Sequence, residues 1–341
     1  MYANFFGFHD LPFQLTPDHR FFFGSSTHNK ALAHLTFGIS QGEGFIVVTG
    51  EVGAGKTTLL GHLLSTLDED QYVASSLVTS QLQGDDVLRL AAINFGIDCD
   101  GLDKAGVIQR IEDFLVERHD EGKRCLLMVD EAQNLSVAAL EELRMLSNLQ
   151  ADHKPLLQSF LLAQPQFKAI LARPDLEQLR QRVIAAYHLG PLNREETKEY
   201  VCHRLHAVGW DETNPGLTDG AFVEIFEATG GIPRLINNLC SRVLLYACLE
   251  EMEKVNADTV RSVAEDQKRE TAEVLVEGAG DALPVGAEAE MQSSPAALAA
   301  LQAENLRLQR DVNELTQRLN KLEGAISHGL KSVLEYFSGN S

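Results

Sequence analysis

Eight consecutive residues, Gly50-Glu51-Val52-Gly53-Ala54-Gly55-Lys56-Thr57, satisfy the pattern GxxxxGK[ST] in full. Glycines let such a loop turn tightly, so that successive backbone N–H groups face the oxygens of a phosphate chain at a helix N-terminus. Lys56 then supplies a point charge to the β- and γ-phosphates, the Thr57 hydroxyl can ligate Mg²⁺, and Thr58 follows in the same cradle.

A second group of residues can serve the same chemistry. The run Cys125-Leu126-Leu127-Met128-Val129 ends in Asp130 and Glu131. At a strand end beside a phosphate loop, Asp130 would hold the Mg²⁺ shell and Glu131 would polarise an attacking water. Gln164 follows the apolar run LQSFLLA, where a polar amide could orient water or the terminal phosphate. Arg180 and Arg182, in LRQR, read either as a solvated face or as a finger reaching a neighbouring subunit's nucleotide. Gly230-Gly231-Ile232-Pro233 starts a helix and puts Arg234 in its first turn. The macrodipole disfavours a cation there, which suggests a phosphate for it to meet.

These residues need a scaffold that brings strand ends together. Short apolar runs read as buried parallel strands over 44–49, 72–79, 125–129, 157–163 and 183–189. Helical patterns alternate with them over 56–67, 85–95, 104–119 and 137–150. That alternation indicates an α/β fold with a parallel sheet, whose ligands bind at the carboxyl ends of the strands. After Pro191 only helical patterns remain, over 194–208, 219–228, 234–249 and 257–267, and they make a small helical domain. The phenylalanines between Phe5 and Phe23 are expected to strap the N-terminus onto the sheet domain, so that 1–191 form the core and 192–269 the helical lid.

The remainder of the chain has a different texture. Residues 270–297 hold no Lys or Arg and little large apolar content, the composition of a flexible acidic linker. From 298 to 336, Leu298, Asn305, Val312, Leu319, Ile326 and Val333 recur every seventh residue, and Leu301, Leu308, Leu315 and Leu322 interleave with them. This is a coiled-coil seam, with Asn305 favouring a registered pair.

Composition narrows the classes further. The 341 residues carry 49 acids and 29 Lys+Arg, a net charge of −20, with the acidic excess in the body as well as the tail. A large nonspecific nucleic-acid surface needs the reverse. Five cysteines without a CxxC pair argue against a zinc site or disulfide framework and fit a reducing cytoplasm. His9, His19, His28 and His34 lack ligand spacing, so no histidine metal site is expected. The start, MYANFFGFHDLPF, does not read as a signal peptide, and no uncharged apolar stretch reaches membrane-span length. A cytoplasmic protein is expected, with any attachment at the inner membrane made through a partner.

Together the motifs resemble a P-loop AAA+ ATPase. Gly50–Thr57 corresponds to Walker A, Asp130–Glu131 to Walker B, Gln164 to sensor 1, Arg182 or Arg180 to the arginine finger, and Arg234 to sensor 2. The segments FFGFHDLPFQLTPDHRFFFGSSTHNKAL, GEGFIVVTGEVGAGKTTLL, VDEAQNL, LEELRMLSN and LRQRVIAAYHLGPL resemble the ExeA-like family, the ATPase of general secretion pathway component A. Within it they are most similar to the secretion ATPase encoded with exosortase/PEP-CTERM and exopolysaccharide loci. The resemblance covers about residues 1–268. It implies ATP and Mg²⁺ as ligands, hydrolysis of ATP, assembly into a ring or dimer, and envelope export or inner-membrane components as partners. Component A continues into a membrane span and a periplasmic peptidoglycan-binding module. Here a linker and coiled coil follow instead, so direct peptidoglycan remodelling is not implied.

Three function classes follow. The first is an ATP-hydrolysing motor for envelope export. The second is a DNA-associated AAA+ protein of the transposition-helper kind, against which the acidic balance weighs. The third is a nucleotide-gated scaffold, against which the joint presence of Glu131, Gln164, Arg182 and Arg234 weighs.

Overall fold

The computed structural model describes residues 2–14, 21–78 and 84–279. The chain divides into two units, 1–269 and 270–341. Most of the expected linker and the whole expected coiled coil lie outside the described residues.

The core of the first unit is a five-stranded parallel sheet. Its strands are β1 (Phe45–Gly50), β2 (Tyr72–Val78), β3 (Arg124–Asp130), β4 (Leu157–Ala163) and β5 (Val183–Leu189), in the order β2-β3-β4-β1-β5. The central strands FIVVTG and LQSFLLA are buried along their whole length, as continuous apolar runs covered on both faces must be. Side chains alternate between the two faces. Phe45, Val47, Leu127 and Leu161 enter one apolar layer, and Ile46, Val48, Met128 and Phe160 enter the other.

Helices cover both faces. The element order is α1 (Tyr2–Phe6), α2 (Ser26–Gln41), α3 (Lys56–Ser65), α4 (Gly84–Asn94), α5 (Lys104–Asp120), α6 (Val137–Leu146), α7 (Phe167–Leu171) and α8 (Glu177–Gln181). Leu35 of α2 and Leu59 of α3 join the layer of Ile46, while Val87 of α4, Ile111 of α5 and Leu140 of α6 join that of Phe45. α2 lies so close to the sheet that a Cβ on Gly38 would stand 2.4 Å from Ile46 Cδ1. The buried Gln158 amide on β4 donates to the Gly38 carbonyl at 2.8 Å and the Glu43 carbonyl at 2.9 Å, which satisfies backbone at the end of that helix.

Four helices follow: α9 (Arg194–His206), α10 (Asp219–Thr229), α11 (Pro233–Leu249) and α12 (Ala257–Ala279). α9 starts with a full capping box, Asn193 with Glu196, a device worth about 1 kcal/mol. Contrary to expectation, the aromatic N-terminus packs mainly on this domain, and Phe22 is the described phenylalanine of the strap that joins the sheet layer of Ile46. Tyr2, Phe6, Phe8, Phe13 and Phe21 share a core with Val201, Leu205, Ile236 and Val243. A few short helices have too little apolar surface to bury among themselves, and the aromatic strap supplies it. α12 also runs past Arg269 into the segment assigned to the linker. ETAEVLVE holds neither Gly nor Pro, and its three Glu, one Ala and one Leu are good helix formers, so the helix continues up to the Gly278 region.

Candidate functional site

Strand register builds the site. β4 lies between β1 and β3, with Ala163 beside Thr49 and Leu161 beside Val129. The residues that follow the three strands, namely the glycine loop, Glu131 and Gln164, therefore emerge side by side.

The loop after β1 feeds α3 at Lys56. Gly53 and Gly55 have φ of +82° and +94°, the left-handed region that glycine enters without steric cost. Gly53 needs its lack of side chain for a second reason, since a Cβ there would lie 2.3 Å from Arg234 Cβ. Lys56 is 5% exposed. Its Nζ donates to the carbonyls of Gly50 at 2.8 Å and Glu51 at 3.0 Å. Burial pushes its pKa down, and the nearby Glu131, Asp130 and Glu51 pull it back up. The ammonium is thus held dry at the mouth of the loop, where a phosphate chain would be its strongest partner.

Thr57 Oγ1 donates to Asp130 Oδ2 at 2.7 Å, and Asp130 Oδ1 accepts from the Glu131 N–H at 2.8 Å. Glu131 itself is left-handed, with φ 54° and ψ 39°. That bend carries its carboxylate to Gln164, whose Nε2 donates to Glu131 Oε2 at 3.0 Å. Gln133 Nε2 donates to the same oxygen. The Gln133 carbonyl oxygen in turn accepts from the Gln164 N–H at 3.0 Å, and Gln166 Nε2 donates to Gln164 Oε1 at 2.8 Å. Gln164 therefore contacts Glu131 directly. Gln133 was not singled out from the sequence, although it sits two residues after Glu131 in VDEAQNL, where a tight turn returns it to the same carboxylate.

The lid closes the other side. Arg234, exposed in the first turn of α11, donates its backbone N–H to the Gly53 carbonyl at 3.2 Å. A cleft of about 360 Å³ opens here, lined by Gln14, Gly53, Lys56, Thr57, Arg204 and Arg234 among others. Arg204 was missed, because an arginine on a helix carries no sequence signal for burial. It is 7% exposed, donates to the Pro12 carbonyl at 3.0 Å and to Tyr200 OH at 3.1 Å, and lies 4.7 Å from the Phe21 ring centre. One cation thus fastens the N-terminal strap to the lid and faces the cleft.

Arg180 and Arg182 are not brought to this cleft. β5 begins at Val183 beside Phe45, whereas the loop leaves β1 at Gly50, about 17 Å further along at the strand rise. Arg182 donates to the carbonyl and hydroxyl of Ser147 at 3.1 and 3.2 Å, and Arg180 to the Leu171 carbonyl at 2.9 Å.

Among the described residues, no cluster of three or more His, Cys, Asp or Glu could hold a metal ion by itself. The Thr57–Asp130 pair offers two hard oxygen ligands beside the phosphate loop. That donor set suits Mg²⁺, which is usually held by one or two side chains and completed by phosphates and water.

Burial also pushes the His28 and His203 pKa values down. Unfolded histidines then take up protons first, so this stability is full above 6.5, the ordinary value, and is lost as pH falls below it. The melting temperature should drop between about pH 7 and pH 5.5, and His28→Gln should lessen the drop. A flat melting temperature across that range, or a drop that His28→Gln leaves untouched, would contradict this.

Residues 39–171 match the family described as AAA domain. Over 258 residues, 75% of this chain, the sequence is 40% identical to general secretion pathway protein A of Aeromonas hydrophila. The match spans 46% of that protein, so the chain covers about half of its relative's length. Solved structures share the fold at low identity. The Pyrobaculum aerophilum Cdc6p structure superposes with a TM-score of 0.59 at 16% identity, over 77% of this chain and 70% of that one. The Aeropyrum pernix ORC2 structure, in ADPNP-ADP complexes, gives 0.57 at 14% over 70% and 66%. The Aeropyrum pernix ORC1 structure, in complex with DNA, gives 0.57 at 16% over 80% and 72%. The structures establish an AAA+ fold, and across the body of the chain the sequence is similar to an ExeA-like AAA+ protein.

Proposed function

We propose that the chain binds ATP with Mg²⁺ and hydrolyses it to ADP and phosphate, and that this turnover assembles or energises a bacterial envelope export system. The observation that carries the reading is the Glu131 carboxylate, fixed by two glutamine amides beside the Thr57–Asp130 pair. In hydrolysis the water oxygen bonds to the γ-phosphorus, the bond to the ADP oxygen breaks, and Glu131 accepts the water's proton. Gln164 and Gln133 aim the accepting oxygen. Lys56 and the N–H groups of Gly53–Thr58 would bind the phosphate oxygens, while Thr57 and Asp130 would hold the metal. Bound Mg²⁺ would neutralise charge developing on the phosphate oxygens. Arg234, on the lid side of Gly53, is assigned to the terminal phosphates.

Export is proposed from the name of the relative from Aeromonas hydrophila. An exosortase/PEP-CTERM or exopolysaccharide setting is the finer form of the same proposal. Among the described residues, no helix is long and apolar enough to cross a membrane. A cytoplasmic location, with attachment at the inner membrane through a partner, accords with this. The DNA-bound role runs against the net charge of −20.

Because Arg180 and Arg182 stand far from their own loop, we assign the finger role in trans, with Arg182 first. Phosphate release per subunit should rise with protein concentration, and Arg182→Ala subunits should poison wild-type partners in mixtures. Activity per subunit that stays constant down to the monomer would exclude action in trans. No phosphate release above the level of Lys56→Ala at any concentration would leave the nucleotide-gated scaffold.

A further inference from the structure

The N-terminus of α2 sits between the phosphate loop and the lid, and its first turn touches both. Ser25 caps the helix, its Oγ accepting from the His28 N–H at 3.2 Å and lying 2.7 Å from His28 Nδ1. His28 is 6% exposed. The other side of its ring faces the loop. The Ala54 backbone lies close enough to the imidazole to raise its pKa, and a Cβ on Gly55 would stand 3.1 Å from Nε2. The tautomer that satisfies both sides has the Ser25 hydroxyl donating to Nδ1 and the Nε2 proton pointing at the loop.

The same turn is fastened to the lid. Glu196 of α9 is buried, and its two oxygens cap two helices. Oε2 accepts from the Asn193 N–H at 3.0 Å, closing the capping box of α9. Oε1 accepts from the Ser26 N–H at 2.8 Å, in the first turn of α2. On its far side the loop meets the lid again, through the Arg234 N–H on the Gly53 carbonyl.

We infer that His28 is a positioning residue for the nucleotide: it holds Ala54 and Gly55 in the conformation that aims the following N–H groups at phosphate, and Glu196 makes that hold depend on the attitude of the lid. This rests on the reading of Gly50–Thr57 as an ATP loop. The chemistry supports a role beyond packing. An imidazole joined to the capping hydroxyl at Nδ1 presents Nε2 to the loop backbone, a polar contact that a leucine of similar bulk could not make. The lid, the first turn of α2 and the loop lie in one continuous path, hydrogen-bonded from Glu196 to Ser26 and in contact from His28 to Gly55, so a lid movement that shifts Glu196 shifts the backbone carrying His28.

The test uses the full chain, Mg²⁺ and an N-methylanthraniloyl-labelled ATP, with phosphate release measured in parallel. Wild type should bind and Lys56→Ala should not. If wild type does not bind, the ATP-loop reading itself fails and this inference falls with it. Given binding, His28→Leu should raise the Kd and the KM for ATP about tenfold, with a smaller fall in kcat, as expected for one lost polar contact to the loop in the ground state. His28→Gln, whose amide can still donate to the loop, should recover most of that affinity. Wild-type affinity in His28→Leu overturns the inference, and so does a loss that falls on kcat alone or that Gln fails to rescue. Glu196→Gln keeps the volume and removes one acceptor oxygen. Combined with His28→Leu, its effect on Kd should be less than multiplicative, because both act on one path. A fully multiplicative loss overturns the dependence on the lid.

Discussion

Glu131→Gln should keep ATP bound and slow its hydrolysis by about 10²- to 10⁴-fold, the usual contribution of a positioned base. The substitution is nearly isosteric. Its amide carbonyl can still accept from Gln164 or Gln133, and the Asp130 contacts with Thr57 and the Glu131 backbone do not involve the altered group. What disappears is the basic oxygen that takes the proton. Single-turnover phosphate release, run beside labelled-ATP binding, separates the two properties. Parental turnover in this variant would remove Glu131 from the role of base.

Lys56→Ala should abolish ATP binding at concentrations that saturate the parent. The Lys56 ammonium is buried at the loop mouth and rests on two neutral carbonyls, at a desolvation cost that phosphate would relieve. Its removal deletes the only loop side chain that brings a positive charge to the β- and γ-phosphates. Saturating the parent 100-fold above its Kd should stabilise it by about 2.7 kcal/mol. Calorimetry should show that gain as a raised melting temperature, and the alanine variant should show none. An equal ATP-induced rise in both proteins would mean that nucleotide binds elsewhere.

The parallel sheet and its ligand end were legible because their signals are local. Fully buried strands need unbroken apolar runs, and Phe45–Gly50 and Leu157–Ala163 are such runs. Glycines at positive φ advertised the loop. α2 was not read as a helix, because Gly38 and a histidine-rich face blur its period, and both features answer to neighbours distant in sequence. The N-terminal aromatics were legible as apolar but not as to which domain they cover. That choice depends on which domain lacks surface to bury, a property of the assembled helices. Arg204 and His28 were illegible for the same reason. Each is buried among polar partners 150 or more residues away, or on a loop whose shape periodicity cannot report. Gln164 was half-legible, because a strand end gave its position while its hydrogen bonds with Glu131 and Gln133 require the turn that Glu131 makes, and Gln133 was not legible at all.

That turn places Glu131 in a left-handed conformation that costs an L-residue about 1 kcal/mol or more and costs glycine nothing. A population screened for heat tolerance alone would therefore drift toward Asp-Gly at 130–131, since glycine there is a single nucleotide change away from either glutamate codon. A population that must turn over ATP would be held at glutamate. Position 131 is thus a place where selection for persistence and selection for work pull on the same Cα. Sequences that have shed the activity while keeping the fold should be recognisable by glycine at this one site.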